Sequence, residues 1–193
     1  ALTLADNPLE VVEEEASQPA PDQSNAAALP AEMPVPPGQP AAALTRIVAE
    51  SIGLDTGVLE VGWQKVVQNG VETNVWIVAD YAAGWHQNSA LPGKGGNIVI
   101  SGHHNIKGEI FRYIVDLEPG AIISLYDANN QRYDYYVEDK FIVKDKGEPE
   151  AVRRENAKWI GQFNEERLTM ITCWPYNNNT HRVVVISKPV PVQ

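Results

Sequence analysis

Leu168-Thr169-Met170-Ile171-Thr172-Cys173-Trp174-Pro175-Tyr176-Asn177-Asn178-Asn179-Thr180-His181-Arg182-Val183-Val184-Val185-Ile186 is the stretch that decides how this chain folds. An apolar, β-branched run ends in a thiol. A Pro/Asn-rich loop follows, and a second β-branched run opens on a guanidinium. Such runs bounded by turn residues read as two strands of a hairpin-like pair. Cys173 ends the first and Arg182 begins the second, nine positions later. If the two pair antiparallel, both side chains lie at one end of the sheet, where cross-strand Cβ atoms come within about 5 Å.

Outward from that pair the same pattern recurs. Candidate strands fall at 45–50, 57–63, 74–79, 97–101, 121–126, 131–144, 167–172 and 182–187. They are separated by Asn69-Gly70, Pro92-Gly93, Gly95-Gly96, Pro119-Gly120 and Asp127-Ala128-Asn129-Asn130. Eight strands at this spacing suit an all-β sandwich or closed barrel. Helical pieces are expected at 110–116 and at 149–160, the second with Pro149 in the first turn. The alternation in 131–144 breaks at Glu138-Asp139-Lys140, which predicts a bulge there.

The chain of 193 residues divides by composition. Residues 1–43 carry seven acidic residues, eight of the fourteen prolines and no basic or aromatic residue. Such a segment cannot bury enough apolar surface to offset the entropy of ordering, so it reads as a disordered acidic Pro/Ala-rich linker. Within it, residues 9–15 have the makings of a helical turn or two. Residues 44–193 form the folded domain and hold 18 acidic against 15 basic residues. A net charge of −10, of which −7 sits on the linker, leaves no basic stripe for nucleic acid. One cysteine excludes an intramolecular disulfide and Cys-rich metal sites. No run of about 20 apolar residues is present to span a bilayer. A start without Met or a signal segment points to an anchor or signal lying upstream.

Three strand ends carry reactive groups: Gly102-His103-His104 after 97–101, Cys173, and Arg182. Taken singly each is ordinary: a small buried thiol, a hydrogen-bonded loop imidazole, an edge charge. Their shared placement at strand ends, beside Gly, Thr, Pro and Asn, is what suggests a site.

Gly102-His103, Thr169-Met170-Ile171-Thr172-Cys173 and Arg182 resemble the sortase signature, a Gly-His strand end and a Thr-Leu-x-Thr-Cys strand with a downstream Arg. The longer run Thr172-Cys173-Trp174-Pro175-Tyr176, then Asn179-Thr180-His181-Arg182, is similar to the corresponding segment of pilin-type sortases. The resemblance covers residues 45–188. Met170 stands where Leu is usual, a volume-conserving change, and the Asp-Pro-aromatic lid motif of the pilin-type group is missing. The resemblance implies a closed eight-stranded sortase-like barrel with one or two short helices. It implies a cysteine transpeptidase, with Cys173 as nucleophile, His103 as acid and base, Arg182 stabilising the reacting carbonyl, and Thr172, Trp174 and His104 near the substrate. His103 is preferred to His104 because it directly follows Gly102, and His104 is held in reserve. The implied substrates are secreted proteins bearing a Leu-Pro-x-Thr-Gly-like sorting signal, and the acceptor is an amine of the cell wall or of a pilin. The implied location is the extracellular face of the bacterial membrane. No cofactor is expected and no metal site: Glu138-Asp139 and Glu148/Glu150 read as solvated charges. Leu29-Pro30-Ala31-Glu32 faintly resembles the start of a sorting signal; an intramolecular lid lying in the cleft is the alternative reading, and a plain spacer is the preferred one. The rivals are a cysteine hydrolase using water as acceptor and a non-catalytic extracellular β-barrel interaction module.

Overall fold

A computed structural model describes residues 42–68 and 71–191. Residues 1–41, which hold most of the expected linker 1–43 with its expected helical turn and Leu29-Pro30-Ala31-Glu32, and the expected Asn69-Gly70 turn lie outside the described residues.

Among the described residues ten strands form: β1 (Leu44–Ala49), β2 (Leu54–Val61), β3 (Trp63–Gln68), β4 (Val71–Trp76), β5 (Ala83–His86), β6 (Asn97–Ser101), β7 (Ile122–Asp127), β8 (Arg132–Lys144), β9 (Arg167–Trp174) and β10 (His181–Pro189). Eight close into a barrel in the order β1-β2-β5-β6-β9-β10-β8-β7, with β7 returning to β1, while β3 and β4 make a separate two-stranded sheet. Most neighbours are antiparallel, but β2–β5 and β6–β9 run parallel.

The strands nearest the site are buried on both faces, which explains their continuous apolar runs. Alternate residues Ile98, Ile100, Leu168, Met170, Val183 and Val185 point into the barrel and join its core. Between them, Ile171, Val184 and Ile186 face outward and pack with Phe141, Trp159 and Ile160. Trp159 and Ile160 belong to a 3-10 turn (Lys158–Ile160) that follows the only α-helix among the described residues, α1 (Glu150–Ala157). Pro149 is the residue that caps α1. The outer face of β9 and β10 is therefore core along most of its length and becomes a site only at one end.

The all-β closed barrel, β6 and the long β8 agree with expectation. The β8–β10 register skips one residue, passing from Ile186 opposite Asp139 to Ser187 opposite Val137, so the bulge falls at Glu138. Three expectations are corrected. The expected strand 57–63 stops at Val61, because the chain leaves the barrel at Gly62 and begins β3. The expected strand 74–79 is not a barrel strand: its first residues belong to β4, and β5 takes its place. The expected helix 110–116 is only a 3-10 turn, Ile114–Asp116. Buried Phe111, Ile114 and Leu117 recur every three residues, the 3-10 period, and left-handed Gly108 and Glu109 close off extension toward the N-terminus.

β5 carries a buried histidine. His86 stacks on Trp76 of the β3–β4 sheet, with ring centroids 4.0 Å apart, and its Nε2 lies 3.1 Å from Ser101 Oγ. Burial holds its pKa down at about 3. An unfolded His titrates near 6.5, so between those values the unfolded chain binds the extra proton. The contribution of His86 is complete above pH 6.5 and disappears as the pH falls toward 3, at about 1.4 kcal/mol per pH unit. Urea denaturation across pH 4.5–7.5 should show a slope that His86→Gln reduces by one proton's worth. An unchanged slope would contradict a neutral buried imidazole.

Candidate active site

The site is set by register. Arg182 on β10 lies directly opposite Cys173 on β9. On the other side of β9, β6 runs parallel to it with Ser101 level with Ile171. The pairing continues past the end of β6: the Gly102 amide donates to Ile171 O at 3.4 Å, and Thr172 Oγ1 donates to Gly102 O at 2.7 Å. Two residues on from the Ser101–Ile171 pair, residue 103 falls level with residue 173. The structure thus brings His103, Cys173 and Arg182 to one end of three adjacent strands. All three are nearly out of solvent, with 1%, 2% and 1% of their surfaces exposed.

Gly102 has a steric reason to be glycine. A Cβ there would lie 2.6 Å from Phe111 Cγ and 2.9 Å from both Cδ atoms. Phe111 is fully buried and its amide donates to His103 O at 2.9 Å. The ring and the amide together hold the chain at His103 against the barrel end.

A loop from the β4–β5 connection covers Cys173. Val78 packs on the cysteine, and Asp80, two residues on, reaches His103, with Oδ1 3.5 Å from Nε2. The other oxygen of Asp80 pairs with Lys107 Nζ at 3.0 Å. The Tyr81 amide donates to Lys107 O at 3.0 Å, which ties this loop to the segment after His103. Burial pushes the His103 pKa below its ordinary value; Asp80 opposes that shift and Lys107 adds to it. Desolvation prevails because the Asp80 carboxylate is half exposed on the rim.

Arg182 is held from two sides. Its Nη1 donates to Asn179 O at 3.0 Å and to His181 O at 2.9 Å. Its Nη2 lies 3.1 Å from Oδ2 of Asp145, a fully buried carboxylate just past the end of β8.

The other expected site residues take different positions. Thr172 is fully buried and its hydroxyl is engaged by Gly102 O. Trp174, next along the strand from Cys173, packs against the barrel core. His104 is buried beside it, edge-on to Trp174 and Tyr176 with ring centroids 5.4 and 5.8 Å away, and burial lowers its pKa too. Asp80 and Asp145 were not found in the sequence. No spacing rule links them to residues 103 and 182, and an Asp in a polar loop gives no sign that folding will bury it. Among the described residues no group of three or more His, Cys, Asp or Glu is arranged to hold a metal ion.

A thiol, an imidazole and a fixed guanidinium in one site are the parts of acyl transfer by a covalent nucleophile. The model of the Sortase domain matches residues 47–190. Sortase SrtE1 of Streptomyces coelicolor is 27% identical over 118 residues, a match spanning 59% of this chain and 32% of that protein. Sortase C-1 of Actinomyces oris superposes with a TM-score of 0.56 at 23% identity, over 77% of this chain and 73% of that one. The lid mutant of sortase A from Corynebacterium diphtheriae gives 0.58 at 20% identity, over 79% and 73%. A sortase D5 transpeptidase of Clostridium perfringens gives 0.55 at 23% identity, over 77% and 79%. At these identities the structural likeness speaks for the fold.

Two outcomes follow from the site's geometry. In an NMR titration, Asp80→Asn should lower the His103 midpoint further and Lys107→Met should raise it; shifts of the opposite sign would contradict the placement of these charges. Gly102→Ala should destabilise the protein by about 1–3 kcal/mol in urea denaturation, because its methyl group overlaps the Phe111 ring.

Proposed function

This chain belongs to the sortase family, and from that premise we propose that it is a cysteine transpeptidase whose nucleophile is Cys173. The observation that carries the reading is the register that sets Arg182 opposite Cys173, with His103 two residues past Ser101–Ile171, the last pair of β6 and β9.

The substrate is a secreted protein with a Leu-Pro-x-Thr-Gly-like sorting signal. Cys173 Sγ, as thiolate, attacks the Thr carbonyl carbon and the carbonyl electron pair moves onto oxygen. Arg182 stabilises that negative charge; its guanidinium stays protonated and presents several donors in a fixed plane. Collapse of the tetrahedral intermediate breaks the C–N bond, and His103 gives a proton to the departing Gly amine, leaving a thioester. An amine of a cell-wall peptide or a pilin then attacks the thioester, His103 takes its proton, and Cys173 is released. Thr172 supports the site through its bond to Gly102, and Trp174 and His104, next in the chain to Cys173 and His103, pack edge-on to each other near the substrate. The enzyme works on the extracellular face of a bacterial membrane. No helix among the described residues is long and apolar enough to cross that membrane.

Protonation limits the rate. Ordinary values near 8.5 for Cys and 6.5 for His already favour the neutral thiol–imidazole pair at pH 7. Burial of His103 lowers its pKa and disfavours the imidazolium further. Only a minority of molecules therefore carry the reactive thiolate–imidazolium pair.

With a sorting-signal peptide, added hydroxylamine or oligoglycine should divert product to the amine adduct. Product that stays hydrolytic at saturating amine would favour a hydrolase. Cys173→Ala should abolish cleavage, and Arg182→Ala should lower kcat by about 10²–10³-fold. Alkylation of Cys173 by iodoacetamide should rise with pH along a thiol curve lying above the His103 titration; a thiol titrating below His103 would overturn the minority-pair reading.

A further inference from the structure

Asp145 is fully buried, yet it lies in none of the short motifs on which the sortase resemblance was based. It follows the last residue of β8, where Lys144 pairs with His181 of β10. The amides of Asp145 and Lys146 both donate to Thr180 O at 3.0 Å, which closes the end of that strand pair. Gly147, in a left-handed conformation, then turns the chain toward α1. From α1, Asn156 Nδ2 donates to Lys144 O at 2.8 Å and to Asp145 Oδ1 at 3.4 Å. One carboxylate oxygen is thus held by the helix, and the other faces Arg182 Nη2.

A buried guanidinium offers five N–H donors, and here they divide by edge. Nη1 is occupied by the carbonyls of Asn179 and His181. Nη2 is within ion-pair distance of Asp145 Oδ2, but its N–H groups are not aligned on that oxygen, and Nε has no acceptor. A buried donor without an acceptor is unfavourable. An acceptor that arrives during function would satisfy these donors, and an oxygen of the bound substrate is such an acceptor. An uncompensated buried cation is also unfavourable, and the nearby carboxylate balances it without taking up the Nε–Nη2 edge.

We infer that Asp145 is the positioning residue for Arg182: its buried carboxylate, anchored by Asn156, holds the guanidinium with its Nε–Nη2 edge free for the substrate's carbonyl oxygen. This rests on the reading of Arg182 as the group that meets that oxygen. Asp145 itself touches no reacting atom.

The test uses the folded chain and a sorting-signal peptide. Asp145→Asn keeps the shape and removes the charge. It should lower kcat by about 10- to 100-fold with little change in KM, the scale expected when a reacting group is displaced by about an ångström. Iodoacetamide alkylation of Cys173 should stay within about twofold of wild type, since the thiol is not moved. In an Arg182→Ala background, Asp145→Asn should change kcat by less than about twofold, because a residue acting through Arg182 has nothing left to act on. Asp145→Glu, which restores the charge, should recover part of the loss. A second arm needs no substrate: the Arg182 Nε–H signal in a 15N NMR spectrum, assigned by its absence in Arg182→Lys, should move or broaden in Asp145→Asn.

A variant that melts earlier but keeps wild-type kcat and an unmoved Nε–H signal would overturn the inference. So would a full loss of rate that persists in the Arg182→Ala background. If Asp145→Asn fails to fold, Asp145→Glu carries both arms, with a smaller fall in kcat and a smaller displacement of the signal. If the wild type cleaves no sorting peptide, the transpeptidase reading fails, and the Nε–H signal alone decides whether Asp145 positions Arg182.

Discussion

The pairing of β9 with β10 and β6 is the constraint on which the rest depends. β10 lies antiparallel to β9 with Arg182 opposite Cys173, and β6 lies parallel on the other side with Ser101 level with Ile171. Side chains alternate across each strand, so this register sends Leu168, Met170, Val183 and Val185 into the barrel. It sends Ile171, Cys173, Arg182 and Val184 to the outside. A slip of one residue would expose the apolar set and place Thr172 or Trp174 where Cys173 stands. Each Val or Leu moved from core to water would forfeit about 1.5–3 kcal/mol. The packing that stabilises the barrel therefore also fixes the site.

The site lies where the outer face of these strands changes from core to cleft. Farther along, Ile171, Val184 and Ile186 are covered by Phe141, Trp159 and Ile160; at the end, the cover is Val78 and the Asp80 loop. Dehydration there has opposite effects on different groups. It holds His103 toward its neutral form, and it strengthens the field of a guanidinium that cannot lose its proton. Two unit charges 4 Å apart interact by about 1 kcal/mol in water and about 4 kcal/mol at an effective dielectric of 20. The same burial makes an unbalanced Arg182 unfavourable, which gives the 0% exposed Asp145 beside it a physical purpose. Asp80 differs because it lies on the rim, half exposed, and its pull on His103 is screened by water.

Much of the fold could be read directly. Strands buried on both faces give unbroken apolar runs, so Asn97–Ser101 was legible to the residue and the cores of β9 and β10 nearly so. The polar interruption in β8 located its bulge at Glu138. The thiol and the guanidinium were legible as neighbours because only a loop separates them. β5 was not legible: Ala83, Gly84 and His86 are poor strand formers. The strand is made by its pairing with β2 and β6, and its glycine is explained by Val61 of β2, which lies 3.0 Å from the place a Gly84 side chain would occupy. The excursion of β3 and β4 was hidden for a similar reason, since Gly62 marks a departure from the barrel that composition cannot tell from a kink within one strand.

By itself the sequence determined the all-β class and the placement of Cys173 and Arg182 at two strand ends joined by a short loop, and it carried the motifs of the family resemblance. The first two follow from local periodicity and short-range spacing, which the chain carries wherever it goes. Tertiary structure alone decided that His103 comes level with Cys173 through a parallel pairing some 70 positions away in the chain. It also decided that Asp80 reaches the imidazole and Asp145 the guanidinium. Those contacts join strand ends and loops remote in sequence, and a carboxylate's burial and partner are properties of the closed barrel rather than of its neighbours along the chain.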